Sequence, residues 1–273
     1  MGNEFKPKRV LFAGCGNMGS AILDAVLKSK VLVPGNVTIL ERFESEKILS
    51  FQTQGATWKK ELSEILDSFD VIILAVKPQD SEAIMNSLGS YVNETGMVIS
   101  IMAGVNIATM ESHFPFATIV RAMPNTPASI GEGATGVTMS KNWGQDEEAW
   151  AHSFFGSFGK ALFVDSENKI DEITAISGSG PAYLFYLAEA MTEQAIEFGF
   201  KPKSAQILVN QTLRGAAMLL DQSGESASDL RAKVTSKGGT TFAATEEFDA
   251  KSVKKGIKDG IQKAFERSKE LGG

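Results

Sequence analysis

A chain that reads Val10-Leu11-Phe12-Ala13-Gly14-Cys15-Gly16-Asn17-Met18-Gly19 near its start has few folds open to it. A short apolar run with the character of a buried strand empties into Gly-x-Gly-x-x-Gly, and Met18, Ile22, Leu23, Val26 and Leu27 then return at helical spacing. Strand, glycine turn and helix in that order open a dinucleotide-binding βαβ unit. Gly14 permits the tight turn, Gly16 lacks the Cβ that would hold a pyrophosphate off the backbone, and Gly19 lets helix and strand pack closely. The phosphates would rest on unpaired N–H groups at the helix start. The glycine spacing alone decides little: with 26 glycines in 273 residues, a chance match arises somewhere with a probability of about a quarter. The strand before it and the helix after it give it weight.

The rest of the front half continues the pattern. Val37-Thr38-Ile39-Leu40 reads as a second strand ending at Glu41-Arg42, where a carboxylate can accept from a ribose 2′-hydroxyl and a guanidinium can hold a 2′-phosphate. Both are present, so the choice between NADH and NADPH stays open. The apolar run 71–76 reads as a central strand and stops at Lys77-Pro78, because proline cannot continue a ladder. Residues 97–102 run into Ala103-Gly104, whose small side chains would let the backbone approach a flat ring. A strand at 118–120 leads to Met123-Pro124-Asn125-Thr126-Pro127, where Asn125 can donate and accept as a carboxamide ligand requires. Strands at 133–139 and 161–164 flank an amphipathic helix near 146–155. Beyond about residue 165 no strand pattern remains, and helical spacing covers 173–198, 203–221, 228–234, 241–248 and 253–269. The fold class is therefore α/β: residues 1–165 form a Rossmann-type NAD(P)-binding domain and residues 166–273 an all-α domain.

A formal charge of −6 offers no field for nucleic acid. Residues 1–9 are polar, the apolar run after them is too short for a signal peptide, and Lys6 stands where a myristoylation signal wants a hydroxyl, so a cytoplasmic enzyme is the default, without membrane attachment. Cys15 is the single cysteine and has no partner for a disulfide or a metal site. His113, read in a loop beside Phe114-Pro115, and His152, read on a helix, neighbour neither a glycine turn nor a carboxylate in sequence and read as structural. A site this poor in acid and base groups suits a reaction in which a cofactor performs the hard step. In the segment 182–188 apolar residues surround the whole helix, which calls for burial against a second copy of the chain and an obligate dimer.

Two small-residue loops stand out in the helical half. Ser177-Gly178-Ser179-Gly180-Pro181 opens the long helix, and Val234-Thr235-Ser236-Lys237-Gly238-Gly239-Thr240-Thr241 lies between two others. The second reads either as an anion nest sized for a small carboxylate or as a helix-joining turn with Thr241 as its N-cap.

Taken with Ala75-Val76-Lys77-Pro78-Gln79 and the glycine loop, these motifs resemble the pyrroline-5-carboxylate reductase family in order and over essentially the whole chain. The resemblance implies reduction of the imino acid L-1-pyrroline-5-carboxylate to L-proline by NADPH or NADH. It also implies an interlocked dimer of the C-terminal helical domains that can assemble further into a decamer. Carried over, Ala13, Gly14, Cys15, Gly16, Asn17 and Met18 would hold the pyrophosphate, with Gly19 packed behind them and Glu41 and Arg42 at the ribose. Ala75, Val76, Lys77 and Pro78 would flank the cofactor together with Met102, Ala103 and Gly104, and Asn125 would lie near the nicotinamide. Ser236 and the backbone of Gly238, Gly239 and Thr240 would bind the substrate carboxylate, while Thr241, the catalytic candidate, would hydrogen-bond the ring nitrogen. Lys237 stands where many members have proline. A β-hydroxyacid dehydrogenase resembles the same architecture but uses a lysine one turn into the long helix, where this chain has Leu184; a reductase of another small imine and a non-catalytic NAD(P)-binding protein are the remaining alternatives.

Overall fold

Short apolar strands build an eight-stranded sheet whose central strands β1 and β4 are buried on both faces, while the edge strands β3 and β8 are partly exposed. The computed structural model describes residues 6–140 and 144–272; residues 1–5, part of the polar start on which the no-leader expectation rests, lie outside it. The strands are β1 (Val10–Ala13), β2 (Val37–Leu40), β3 (Thr57–Lys59), β4 (Phe69–Leu74), β5 (Val92–Ser100), β6 (Thr118–Met123), β7 (Gly133–Met139) and β8 (Gly159–Phe163). They lie in the order β3-β2-β1-β4-β5-β6-β7-β8. The first six are mutually parallel, β7 runs antiparallel to β6, and β8 runs parallel to β7. Val10, Phe12, Ile39 and Ile73 point to the face covered by α1 (Asn17–Lys28), α2 (Glu46–Thr53) and α5 (Gln145–Gly156). Leu11, Ala13, Ile72 and Leu74 point to the face covered by α3 (Ser81–Leu88) and α4 (Ile107–His113). Strand order reverses between β1 and β4, which opens a crevice at their carboxyl ends.

The chain divides into two compact units, Met1–Ser179 with Ala264–Gly273, and Gly180–Lys263. The first division falls later than the change of pattern near residue 165, because α6 (Asn168–Ile173) packs with the sheet. Arg121 on β6 is buried and pairs with Glu167 at 2.9 Å and with Asp171 at 3.4 Å. Glu167 also accepts from the Ile107 N–H, and Asp171 accepts from the Ser268 hydroxyl. One buried guanidinium thus joins four segments, an arrangement that is stable because each carboxylate has further donors. After α6 the helix widens into a π-turn over Thr174–Gly178, closed by Ser179 N–H donating to the Thr174 carbonyl. His113 is the last residue of α4 rather than part of a loop, with its Nδ1 2.9 Å from the Thr109 carbonyl oxygen.

The second unit contains α7 (Gly180–Glu197), α8 (Pro202–Ser223), α9 (Ala227–Lys233), α10 (Thr240–Ala250) and most of α11 (Val253–Gly272). Pro202 starts α8 where its missing N–H costs nothing, and Gly224, at φ +68°, stops it. The Ser226 hydroxyl caps α9 by accepting from the Asp229 N–H. On α8 only Ala205 and Val209 are buried, and on α7 no residue is. Phe185 is 66% exposed and Leu184 56%. Such a helix is apolar without a core of its own. Among the described residues no helix is long and apolar enough to cross a membrane.

Burial of these residues against a second copy remains the expectation from their composition. Replacing Phe185 by Asp should then remove roughly 3–6 kcal/mol of association per dimer, counted twice by symmetry, before any cost of burying the carboxylate. Sedimentation of Phe185→Asp should show loss of the dimer at micromolar concentration; an unchanged dimer would place the interface elsewhere.

Candidate functional site

The crevice at the reversal of strand order is lined mainly by backbone. β1 ends at Ala13, Gly14 turns at φ +96°, and its N–H donates to the Leu40 carbonyl at 2.9 Å. The three glycines separate by what surrounds them. A Cβ on Gly14 would lie 2.7 Å from the Ala75 carbonyl carbon, and one on Gly19 would lie 2.7 Å from the Gly14 carbonyl oxygen. A Cβ on Gly16 would meet nothing within 4 Å. Two of the glycines are therefore demanded by packing, whereas Gly16 borders open space.

Gly16 is also the N-cap of α1, and no side chain caps the helix. The N–H groups of Asn17, Met18 and Gly19 carry no hydrogen bond among the described residues, and no acidic side chain occupies the first turn. Unpaired amides at the positive end of a 12-residue helix, facing space left open by a glycine, fit a pyrophosphate. Cys15 offers neither group to this space: its N–H donates to the Glu41 carboxylate, and its thiol is buried. Burial pushes that thiol up to about 11, the Glu41 carboxylate adding to the rise and Lys47 opposing it. At neutral pH it is no nucleophile.

Glu41 follows β2 directly. Its Oε2 accepts from the Cys15 N–H at 3.0 Å and its Oε1 from the Arg42 N–H at 2.9 Å. Its own backbone is held by the Lys59 carbonyl and by the Trp58 indole N–H, which donates to the Glu41 carbonyl at 2.9 Å. Arg42 is exposed. Trp58 lies on β3, a three-residue strand too short to show as a periodic pattern, so its part in holding Glu41 was not legible beforehand.

Across the crevice, Ala75 leaves β4 and donates its N–H to the Ala13 carbonyl at 2.8 Å, while Val76 and Lys77 lead to Pro78, which begins a short 3₁₀ turn. Met102 turns its side chain into the core and offers the crevice only main chain, its N–H held by the Ser100 hydroxyl. Gly104 has a reason other than the one expected from its size. At φ +76°, a Cβ there would lie 2.5 Å from the Leu271 carbonyl oxygen, so the glycine accommodates the end of α11. Ala103 is half-buried beside it. Asn125 is corrected similarly. Its Oδ1 accepts from the Ala134 N–H and its Nδ2 donates to the Ser177 carbonyl, both at 2.9 Å. The capacity to donate and accept is used to hold the loop, not displayed outward.

In the second unit, Gly238 turns at φ +73° and the Gly239 N–H donates to the Ser236 carbonyl at 2.9 Å. Gly239 is the N-cap of α10, so Thr240 and Thr241 are its first two helical residues and Thr241 is not the cap. The N–H groups of Thr240, Thr241 and Phe242 carry no hydrogen bond among the described residues, and no side chain caps them. A Cβ on Gly239 would come within 2.6 Å of the Ser236 hydroxyl, so that hydroxyl rests against the glycine. Ser236, Gly238, Gly239, Thr240 and Thr241 thus form one turn of hydroxyls and unpaired amides, an arrangement suited to a carboxylate. His152 lies in the first unit on α5, its ring 3.8 Å from that of Phe163.

A switch-point crevice lined by glycine-loop amides, followed in the chain by a helical unit with its own anion-ready turn, defines a two-domain oxidoreductase of the Rossmann type. Residues 9–104 match the family model described as NADP oxidoreductase, coenzyme F420-dependent, and residues 167–271 match pyrroline-5-carboxylate reductase dimerisation. The pyrroline-5-carboxylate reductase of Haemophilus influenzae is 35% identical over 97% of both chains, and pyrroline-5-carboxylate reductase 2 of Bacillus subtilis is 33% identical over 97% of this chain and 95% of that one. Among solved structures, a pyrroline-5-carboxylate reductase from Coxiella burnetii superposes with a TM-score of 0.88 at 32% identity, covering 97% of this chain and 99% of that one. The Plasmodium falciparum pyrroline carboxylate reductase with NADP bound gives 0.87 at 26% identity over the full length of both. The chain belongs to the pyrroline-5-carboxylate reductase family.

The two exposed roles of the glycine loop are separable by mutation. Gly14→Ala should cost about 2 kcal/mol or more of stability, from strain at positive φ and the clash with Ala75. Gly16→Ala should melt like the wild type and bind NAD(P)H more weakly; calorimetric titration showing unchanged affinity would move the pyrophosphate away from this loop.

Proposed function

We propose that the chain reduces L-1-pyrroline-5-carboxylate to L-proline with a hydride from NAD(P)H, the cofactor resting on the Gly14–Gly19 loop and the substrate carboxylate on the Ser236–Thr241 turn. The single observation that carries the substrate half is the uncapped start of α10, where three consecutive N–H groups behind Gly239 have no partner among the described residues. Kinship with reductases of this name over nearly the whole chain supports the reaction. The family model matched at 167–271 supports oligomerisation through the helical part; we place the dimer there, in residues 166–273, with the decamer as a further level of assembly.

Reduced nicotinamide supplies the hydride when bound. The remaining work falls to residues that hold and orient. A cyclic imine protonated on nitrogen is already electrophilic at C5, so hydride addition there sends the π pair to nitrogen and leaves a secondary amine. No strong acid is required in that step. The amides of Gly238 and Thr240, with the Ser236 hydroxyl, fix the carboxylate end of the ring, while the Gly239 N–H shapes the turn by donating to the Ser236 carbonyl. The Thr241 hydroxyl accepts from the protonated ring nitrogen and keeps that proton in place. Orientation of this kind can supply roughly 7–11 kcal/mol of the barrier. The loop Met123–Pro127, braced by Asn125, and the main chain of 102–104 line the nicotinamide side.

Adding pyrroline-5-carboxylate to protein and NAD(P)H should deplete absorbance at the reduced-nicotinamide band. Thr241→Ala should lose about 1.5–3 kcal/mol of transition-state stabilisation, roughly 10- to 150-fold in turnover, with NAD(P)H affinity unchanged. A wild-type rate in that variant would remove Thr241 from the reaction, and no depletion at all would remove the assignment.

A further inference from the structure

We infer that Glu41 selects NADH over NADPH in this chain, rejecting the 2′-phosphate by a carboxylate that is fixed in place before the cofactor arrives. The inference rests on the reading of the glycine loop as the dinucleotide seat and extends it to the adenosine ribose.

Glu41 stands at the end of β2, roughly 20 residues beyond the glycine loop, where a Rossmann unit meets the ribose. Its two carboxylate oxygens each accept one main-chain N–H, Oε2 from Cys15 and Oε1 from Arg42. Each oxygen keeps a second acceptor site. Acceptors without donors match a ribose diol, whose two hydroxyls donate, and oppose a 2′-phosphate, which brings only further acceptors and negative charge. The carboxylate cannot simply swing aside. Doing so would strip the buried Cys15 and the adjoining Arg42 N–H of their partners, and the Glu41 backbone is itself held by Trp58 and Lys59.

The cations nearby are less well placed to reverse this. The Arg42 guanidinium is exposed and makes no hydrogen bond or ion pair among the described residues. Lys47 is exposed and donates to the Ser20 hydroxyl on α1 at 3.0 Å. Glu44 and Glu46 add two carboxylates to the same stretch. Lys59 and Lys60 bring two further cations to the neighbouring strand end, so the discrimination rests on the pinned carboxylate and not on a net negative charge.

Titration of the full-length protein with NADH and with NADPH, followed by calorimetry without any imino acid, tests this independently of turnover. Wild type should bind NADH at least about tenfold more tightly than NADPH, the scale set by one charge pair at the edge of a protein. Glu41→Ser and Glu41→Gln should both shrink that ratio to near unity, chiefly by tightening NADPH. Equal or tighter binding of NADPH by wild type would overturn the inference, as would a ratio unmoved in both variants. Failure of either nucleotide to bind would overturn it together with the dinucleotide reading of the loop, whereas an NADPH preference would leave that reading standing.

Discussion

Gly14 and Gly19 both press on Ala75, and the front of the sheet depends on that approach. A Cβ on Gly14 would collide with the Ala75 carbonyl carbon, and one on Gly19 would come within 3.1 Å of the Ala75 Cβ. With both side chains absent, the end of β1, the start of α1 and the exit from β4 close on one another through main-chain contacts, the Ala75 N–H bonding to the Ala13 carbonyl. What remains open is the space over Gly16 and the unpaired amides of the first turn of α1. Tight packing on two sides and a groove on the third have one cause. The groove is rigid because its walls are backbone, and it needs no basic side chain because the helix end supplies the positive field.

The same economy holds at the start of α10. There the N-cap is a glycine, whose missing side chain leaves the amides uncapped, and hydroxyls stand beside them at Ser236, Thr240 and Thr241. In a protein fold, an uncapped helix start forgoes stabilisation that a Ser or Asp cap would provide, about 1 kcal/mol. That loss is offset when a carboxylate binds. Neither histidine is drawn into such an arrangement: His113 ends α4 against the Thr109 carbonyl, and His152 lies against Phe163 on α5. The chemistry that fits is one already activated in the substrate, in which holding the imine matters more than moving protons.

Much of this was legible in the residues because the strongest signals were local. β2 and β7 lie where alternation and β-branched residues placed them, at Val37–Leu40 and Gly133–Met139, and the glycine loop has the geometry its spacing implied. Errors gathered where tertiary contacts override local pattern. β4 ends at Leu74 instead of running to residue 76, because the apolar residues Ala75 and Val76 turn to line the crevice; it starts earlier, at Phe69, because Asp70 is a polar strand residue whose carboxylate binds the Lys8 and Arg9 N–H groups. β5 likewise begins at Val92 through exposed polar residues, ends at Ser100, and releases Ile101 and Met102. Asn125 reads as a ligand in isolation and proves to be a brace, since its partners Ala134 and Ser177 come from distant parts of the chain. Gly104 answers to Leu271, which no local reading could connect to it. Of the two readings open for the 234–241 turn, Thr241 as N-cap does not hold, because Gly239 caps α10 just after Gly238 turns at positive φ.

If positioning through the carboxylate is what this protein contributes, the most direct measurement compares kcat/KM for pyrroline-5-carboxylate with that for 1-pyrroline, the same cyclic imine without its acid group. Loss of the handle on the amides of 236–241 should lower kcat/KM by at least about a hundredfold, the scale of a misplaced reacting atom. Comparable efficiency with both imines would contradict the account, because the uncapped turn would then hold nothing the reaction needs.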